Sequence, residues 1–162
     1  MNPKRLNHRR GYTLIELLVA MGVLAMLAAM AMPLAEVVAQ REREHELKRS
    51  LWEIRDAIDA YKRARESGAL LAEPGSTAYP PTLDALTQLS LDARPASKGQ
   101  ALRFLRRVPR DPFADPALPP AKTWALRSFF SDADNPKSGE DVYDVYSLSQ
   151  RKALDGTALK DW

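Results

Sequence analysis

The sequence predicts an α+β chain: a long N-terminal α-helix, with a transmembrane front half and an amphipathic rear half, packed on a small antiparallel β-sheet with short helices. Three observations carry this. Leu17–Ala35 is an uncharged, almost wholly apolar run of 19 residues. Leu47, Leu51, Ile54, Ile58 and Tyr61 then recur at spacings of three and four, the period of a single helix face. Late in the chain, Thr123–Phe130 and Val142–Leu148 read as strands, the second alternating Val142, Asp144, Tyr146, Leu148 against Tyr143, Val145, Ser147.

Roughly 20 apolar residues span a bilayer as a helix, so the front run is long enough to cross a membrane. Lys4, Arg5, Arg9 and Arg10 precede it without an acid among residues 1–11. By the positive-inside bias they hold the extreme N-terminus in the cytoplasm and send the chain after about Ala35 across. A cleaved secretory signal near Ala29-Met30-Ala31 and a plain unprocessed anchor both fit the apolar run, but neither explains Glu16. A carboxylate in a spanning segment costs on the order of 3 kcal/mol, so it requires a partner or a function.

No turn signal separates Ala35 from Glu36, so both halves read as one helix from about Tyr12 to Ser67, roughly 80 Å long at about 1.5 Å per residue. Pro33 is expected to bend or unwind it locally. Opposite charges three and four apart between Gln40 and Arg49 form a solvated face, and Gly68 closes the helix. Beyond it come a Pro/Gly/Ser-rich connection from Glu73 to Pro81, a short helix Thr82–Leu91, a linker near Pro95–Gly99 and a second short helix Gln100–Arg107. Asp111-Pro112-Phe113 and Asp115-Pro116 read as rigid turns. The polar stretch Ser131–Asp141 suits an antiparallel pairing of the two strands.

The chain carries 24 Lys and Arg against 21 Asp and Glu, a net charge of +3, and no cysteine. The surplus sits in the leader: the remainder has 20 basic against 21 acidic side chains. That balance argues against a nucleic-acid partner. Without cysteine there is no disulfide, thiolate metal site or thiol catalysis. The only histidines are His8 in the leader and His45 among glutamates, so no histidine-based metal trio or catalytic pair can be built. Asp132, Asp134, Glu140, Asp141 and Asp144 stand without a nucleophile or phosphate cradle. The sequence therefore does not read as an enzyme.

The stretch Arg10-Gly11-Tyr12-Thr13-Leu14-Ile15-Glu16-Leu17-Leu18-Val19 closely resembles the class III signal of type IV pilins and type II secretion pseudopilins. The resemblance implies cleavage between Gly11 and Tyr12 by a prepilin peptidase, N-methylation of Tyr12, and assembly roles for Glu16, the fifth mature residue, and Pro33. It divides the chain into a leader (1–11), a transmembrane and filament-core helix (12–35), an amphipathic helix (36–67) and a small periplasmic pilin-like domain (68–162). Tyr12 departs from the family's usual Phe but keeps the ring. Two readings of Glu16 remain: it neutralises the N-terminal ammonium of a neighbouring subunit, or it pairs with the start of its own helix.

A second, weaker resemblance, to the major pseudopilins of type II secretion known as pseudopilin G, runs through Tyr79-Pro80, Phe104–Phe113, Asp144-Val145-Tyr146-Ser147-Leu148 and Asp161-Trp162. It implies a structural subunit of a short periplasmic filament that helps export proteins. The implied partners are other pseudopilins, the prepilin peptidase, an inner-membrane assembly platform and the lipid bilayer. A minor pilin and a membrane-anchored binding module that never polymerises are the alternatives. The family's glycine- and aspartate-rich calcium loop is replaced here by Ser149-Gln150-Arg151-Lys152-Ala153-Leu154-Asp155-Gly156. Asp155, Asp161, the carbonyl of Leu148 and Ser147 are the candidate oxygens for calcium, and an ordinary solvated loop with a turn at Asp155-Gly156 is the competing reading.

Overall fold

The computed structural model describes the backbone of residues 12–71 and 75–162, and the side chains of all of these except residues 30–33. The chain divides into two compact units, Met1–Ala39 and Gln40–Trp162. Helix α1, Leu14–Glu66, supplies residues to both.

In the first unit, the described apolar side chains are all exposed, among them Leu14, Ile15, Leu18, Val23 and Leu27. Of the described residues, α1 is the one helix long and apolar enough to cross a membrane, and none of its apolar window is buried. An apolar surface on all sides of a helix needs lipid or other protein around it.

In the second unit, the stripe expected from the sequence is the core: Leu47, Leu51, Ile54 and Ile58 are almost fully buried, with Tyr61 at their end. They pack with Leu86, Trp124, Val142, Val145 and Leu159 in one cluster. Each such Leu or Ile contributes about 1.5–3 kcal/mol by leaving water. Gly68 ends α1 at φ +73°, and its N–H donates to the Arg65 carbonyl at 3.1 Å.

The architecture is α+β and pilin-like, as the sequence predicts, but its smaller elements differ. There are two separate two-stranded antiparallel sheets among the described residues. The helix expected over Thr82–Leu91 is a single 3-10 turn, Leu83–Leu86, in which the Thr82 side chain accepts from the Ala85 N–H. It is followed by β1, Ser90–Leu91. The second expected helix, Gln100–Arg107, contains β2, Ala101–Leu102, which pairs with β1 as Ser90↔Leu102 and Leu91↔Ala101. So short a helix has little to offset its nucleation cost. Here the Phe104 and Leu105 N–H groups donate instead to the Leu86 carbonyl, and the Gln100 carbonyl accepts from Asp92 N–H. The expected linker Pro95–Gly99 is the turn of this hairpin, with Lys98 and Gly99 at φ +52° and +75°.

Strand β3, Trp124–Arg127, pairs antiparallel with β4, Asp144–Ser147, from Trp124↔Ser147 to Arg127↔Asp144. The polar connection between them folds back through Gly139, where a Cβ would stand 2.7 Å from Ser128 Oγ, so only glycine fits. Asp141 is buried at its end and accepts from Ser128 Oγ at 2.7 Å, from Phe129 N–H at 2.9 Å and from Thr77 Oγ1. Burial pushes its carboxyl up, but these donors outweigh burial and hold it below the ordinary value.

Asp92 closes the β1–β2 hairpin. Its carboxylate accepts from Arg94 Nη2 at 2.6 Å, from Arg94 Nε at 3.0 Å and from the Arg94 N–H at 3.0 Å. These bonds lower its pKa from 3.8 to about 2. A depressed carboxyl stabilises the fold above its unfolded pKa and loses that contribution as the pH falls through the folded one. Asp92→Asn is therefore expected to weaken the fold at neutral pH and to approach the wild type only below the folded pKa, with most of the gap closing between pH 3.8 and about 2. Urea unfolding across that range measures it.

Candidate functional site

Gly11 lies outside the described residues, as does the side chain of Pro33. Tyr12 is 78% exposed. Thr13 caps α1: its Oγ1 accepts from the Glu16 N–H at 3.3 Å, and its carbonyl accepts from the Leu17 N–H at 3.1 Å. Glu16 thus occupies the third helical position, where a carboxylate also complements the helix dipole. Its side chain is exposed, and no hydrogen bond or ion pair to its carboxylate is found among the described residues. The Thr13 cap escaped the sequence reading, although Thr13-x-x-Glu16 ahead of an apolar run is a capping-box signature. The segment therefore presents one acidic group on an otherwise apolar, unpartnered helix surface.

The candidate calcium residues do not form a comparable site. Leu148 is exposed, beyond the end of β4. Asp155 Oδ1 already accepts from Thr157 N–H at 2.9 Å and from Thr157 Oγ1 at 2.6 Å. Those two bonds, with the nearby Lys48 ammonium, hold its carboxyl below the ordinary value. Asp161 sits in a closing 3-10 turn, Leu159–Asp161. The Ser147 hydroxyl is buried and donates to Asp111 Oδ2 at 2.6 Å. Calcium takes six to eight oxygens, and among the described residues no three His, Asp or Glu side chains stand together as a metal site needs. The donor set does not fit the ion.

What organises this loop is a clamp from α1. Glu44 Oε1 accepts from the Leu154 N–H at 2.8 Å and from Gln40 Nε2 at 2.9 Å. Gln40 Nε2 also donates to the Lys152 carbonyl at 3.2 Å. Lys48 Nζ lies 4.1 Å from the Trp162 ring, whose Nε1 donates to Thr157 Oγ1 at 2.8 Å. Within the loop, Gly156 adopts φ +88° and its N–H donates to the Ala153 carbonyl, the turn expected at Asp155-Gly156. The i,i+4 spacing of Gln40 and Glu44 shows that the two share a helix face, but nothing local in the sequence points from them to residues 152–154.

Residues 6–32 match the family model described as the prokaryotic N-terminal methylation motif. That match, over the start of a long helix that leads into a small α+β unit, indicates a type IV pilin-like protein. The motif implies processing by a prepilin peptidase and assembly with other pilin-type subunits, and the exposed apolar helix is consistent with a membrane anchor. No curated protein and no solved structure matches the chain.

Proposed function

We propose that this chain is a structural subunit of a type II secretion pseudopilus, a pseudopilin without catalytic chemistry of its own. It is cleaved between Gly11 and Tyr12, methylated on Tyr12, held in the inner membrane with residues 36–162 in the periplasm, and drawn by an assembly platform into a short filament that helps export proteins. The observation that carries this reading is the methylation motif over residues 6–32, with Glu16 as the single acid in the apolar front segment of α1, residues 14–35, whose described side chains are all exposed. The ordered stretches Tyr79-Pro80, Phe104–Phe113 and Asp144–Leu148 favour a pseudopilin over a minor pilin, and so does the absence of cysteine, since many pilins staple a C-terminal loop with a disulfide.

Intact-mass and N-terminal peptide analysis of membrane-extracted protein, from cells with and without prepilin peptidase, tests it. The expected result is a peptidase-dependent start at methylated Tyr12. A start at Met1 in both strains, or one near Met32, overturns the reading.

A further inference from the structure

The oxygens that a cation could take from the chain's last stretch are already engaged by protein donors. The Arg151 carbonyl accepts from Leu159 N–H at 3.1 Å, Ala153 from Gly156 N–H at 3.0 Å, Thr157 from Ala153 N–H at 2.8 Å and Ala158 from Asp161 N–H at 3.0 Å. The Lys152 carbonyl accepts from Gln40 Nε2, and the Trp162 carbonyl from Arg55 Nη2 at 2.8 Å. The Leu154 N–H is turned to α1, where Glu44 Oε1 accepts it. No cation can hold an N–H, so that part of the loop is shaped for a carboxylate.

Gln40, Glu44 and Lys48 stand four residues apart and form one line along α1. They reach three separate points: the Lys152 carbonyl, the Leu154 N–H and the Trp162 ring. Trp162 Nε1 donates to Thr157 Oγ1, which donates to Asp155 Oδ1, so the line and the loop form one connected network. Lys48 also lies near enough to Asp155 to help the Thr157 bonds hold its carboxyl below the ordinary value. A dication brought to Asp155 would meet this ammonium, with Arg151 and Lys152 in the same loop.

We propose that Gln40, Glu44 and Lys48 replace calcium in this chain: Lys48 is the loop's own cation, Glu44 its fixed anion, and residues 151–162 keep their form without metal. The inference concerns the second unit alone and stands whether or not the chain enters filaments.

The test is limited trypsin digestion of the full-length chain in detergent, with calcium or with EGTA. The readout is the rate of cleavage after Arg151 and Lys152 divided by the rate after Lys122, which reports opening elsewhere in the unit. The ratio cancels any effect of calcium on the protease. The wild-type ratio is expected to be the same in both buffers. Glu44→Ala should raise it about tenfold, the loss of a charge-assisted hydrogen bond in an exposed setting, and calcium should not restore it. Glu44→Gln keeps an acceptor for Leu154 and should stay near the wild type, and Lys48→Met should raise the ratio about threefold. A wild-type ratio that falls when calcium is added overturns the proposal. So does a Glu44→Ala ratio equal to that of the wild type, whether the variant stays folded or opens everywhere.

Discussion

Glu16→Ala is expected to insert into the membrane like the wild type and to be lost from filaments. The substitution removes the one charged side chain from the front segment of α1, residues 14–35, whose described side chains are otherwise uncharged and exposed. Insertion should be eased, by up to about 3 kcal/mol for a carboxylate at bilayer depth. Assembly, on the proposed reading, loses the group that neutralises a neighbour's N-terminal ammonium, and a buried charge left without its partner costs about 3–5 kcal/mol. That is enough to empty the filament at cellular concentrations. The geometry also allows the competing role, a local one at the helix start, to be separated. The Glu16 backbone N–H is held by Thr13 Oγ1, so Thr13→Ala removes the cap for about 1 kcal/mol and leaves the carboxylate in place. Glu16→Gln keeps the side chain's size and removes its charge. Membrane fractionation and recovery of sheared filaments give the readout: Gln behaving like Ala, with Thr13→Ala assembling, assigns the effect to charge. Full assembly of Glu16→Ala would show that Glu16 is not the assembly contact, and a wild-type chain that itself never enters filaments would support the membrane-anchored module instead.

Local periodicity made α1 legible. A helix expected over Tyr12–Ser67 is observed over Leu14–Glu66, and the stripe from Leu47 to Tyr61 is buried as its spacing requires. The β3–β4 pair was legible for a similar reason, since alternation in Val142–Leu148 and a polar connection are both local signals. The segments read as short helices were not, because their backbone groups are satisfied from a distance: the Phe104 and Leu105 N–H groups by the Leu86 carbonyl, and Ala101–Leu102 by pairing with Ser90–Leu91. Segments of about eight to ten residues with a mixed pattern carry too little propensity to resist such pairing. The resemblance nominated Leu148, Asp155 and Asp161 as calcium oxygens, but whether a carboxylate is free depends on neighbours such as Thr157, and the loop's tie to α1, Glu44, lies 110 residues from Leu154.

Asp111→Ala is expected to destabilise the second unit by about 2–4 kcal/mol. Sequence alone presents Asp111 as the first residue of a proline turn, and it is that: Oδ1 accepts from the Phe113 N–H at 2.7 Å. The side chain is nevertheless fully buried, and Oδ2 accepts from Ser147 Oγ in β4 at 2.6 Å. The Asp111 N–H donates to Thr123 Oγ1 at 3.1 Å, and Thr123 Oγ1 donates to the Pro120 carbonyl at 2.7 Å. One carboxylate therefore ties the proline-rich segment to β4, beside the Trp124↔Ser147 pair, and Trp124 Nε1 secures the same segment through the Pro109 carbonyl at 2.8 Å. Alanine leaves the partly buried Phe113 N–H and the buried Ser147 hydroxyl without their acceptor, a buried donor so orphaned costing about 1–3 kcal/mol. Asp111→Asn keeps an acceptor for Phe113 and turns its amide toward Ser147, whose hydroxyl can rotate to accept; its cost should be about 1 kcal/mol. Urea unfolding of the detergent-solubilised chain, followed by tryptophan fluorescence, ranks the two, and for Asp111→Ala a fall in Tm of roughly 10 °C is expected. Equal losses from Asn and Ala would mean that the negative charge itself, and not the acceptors, holds this corner together.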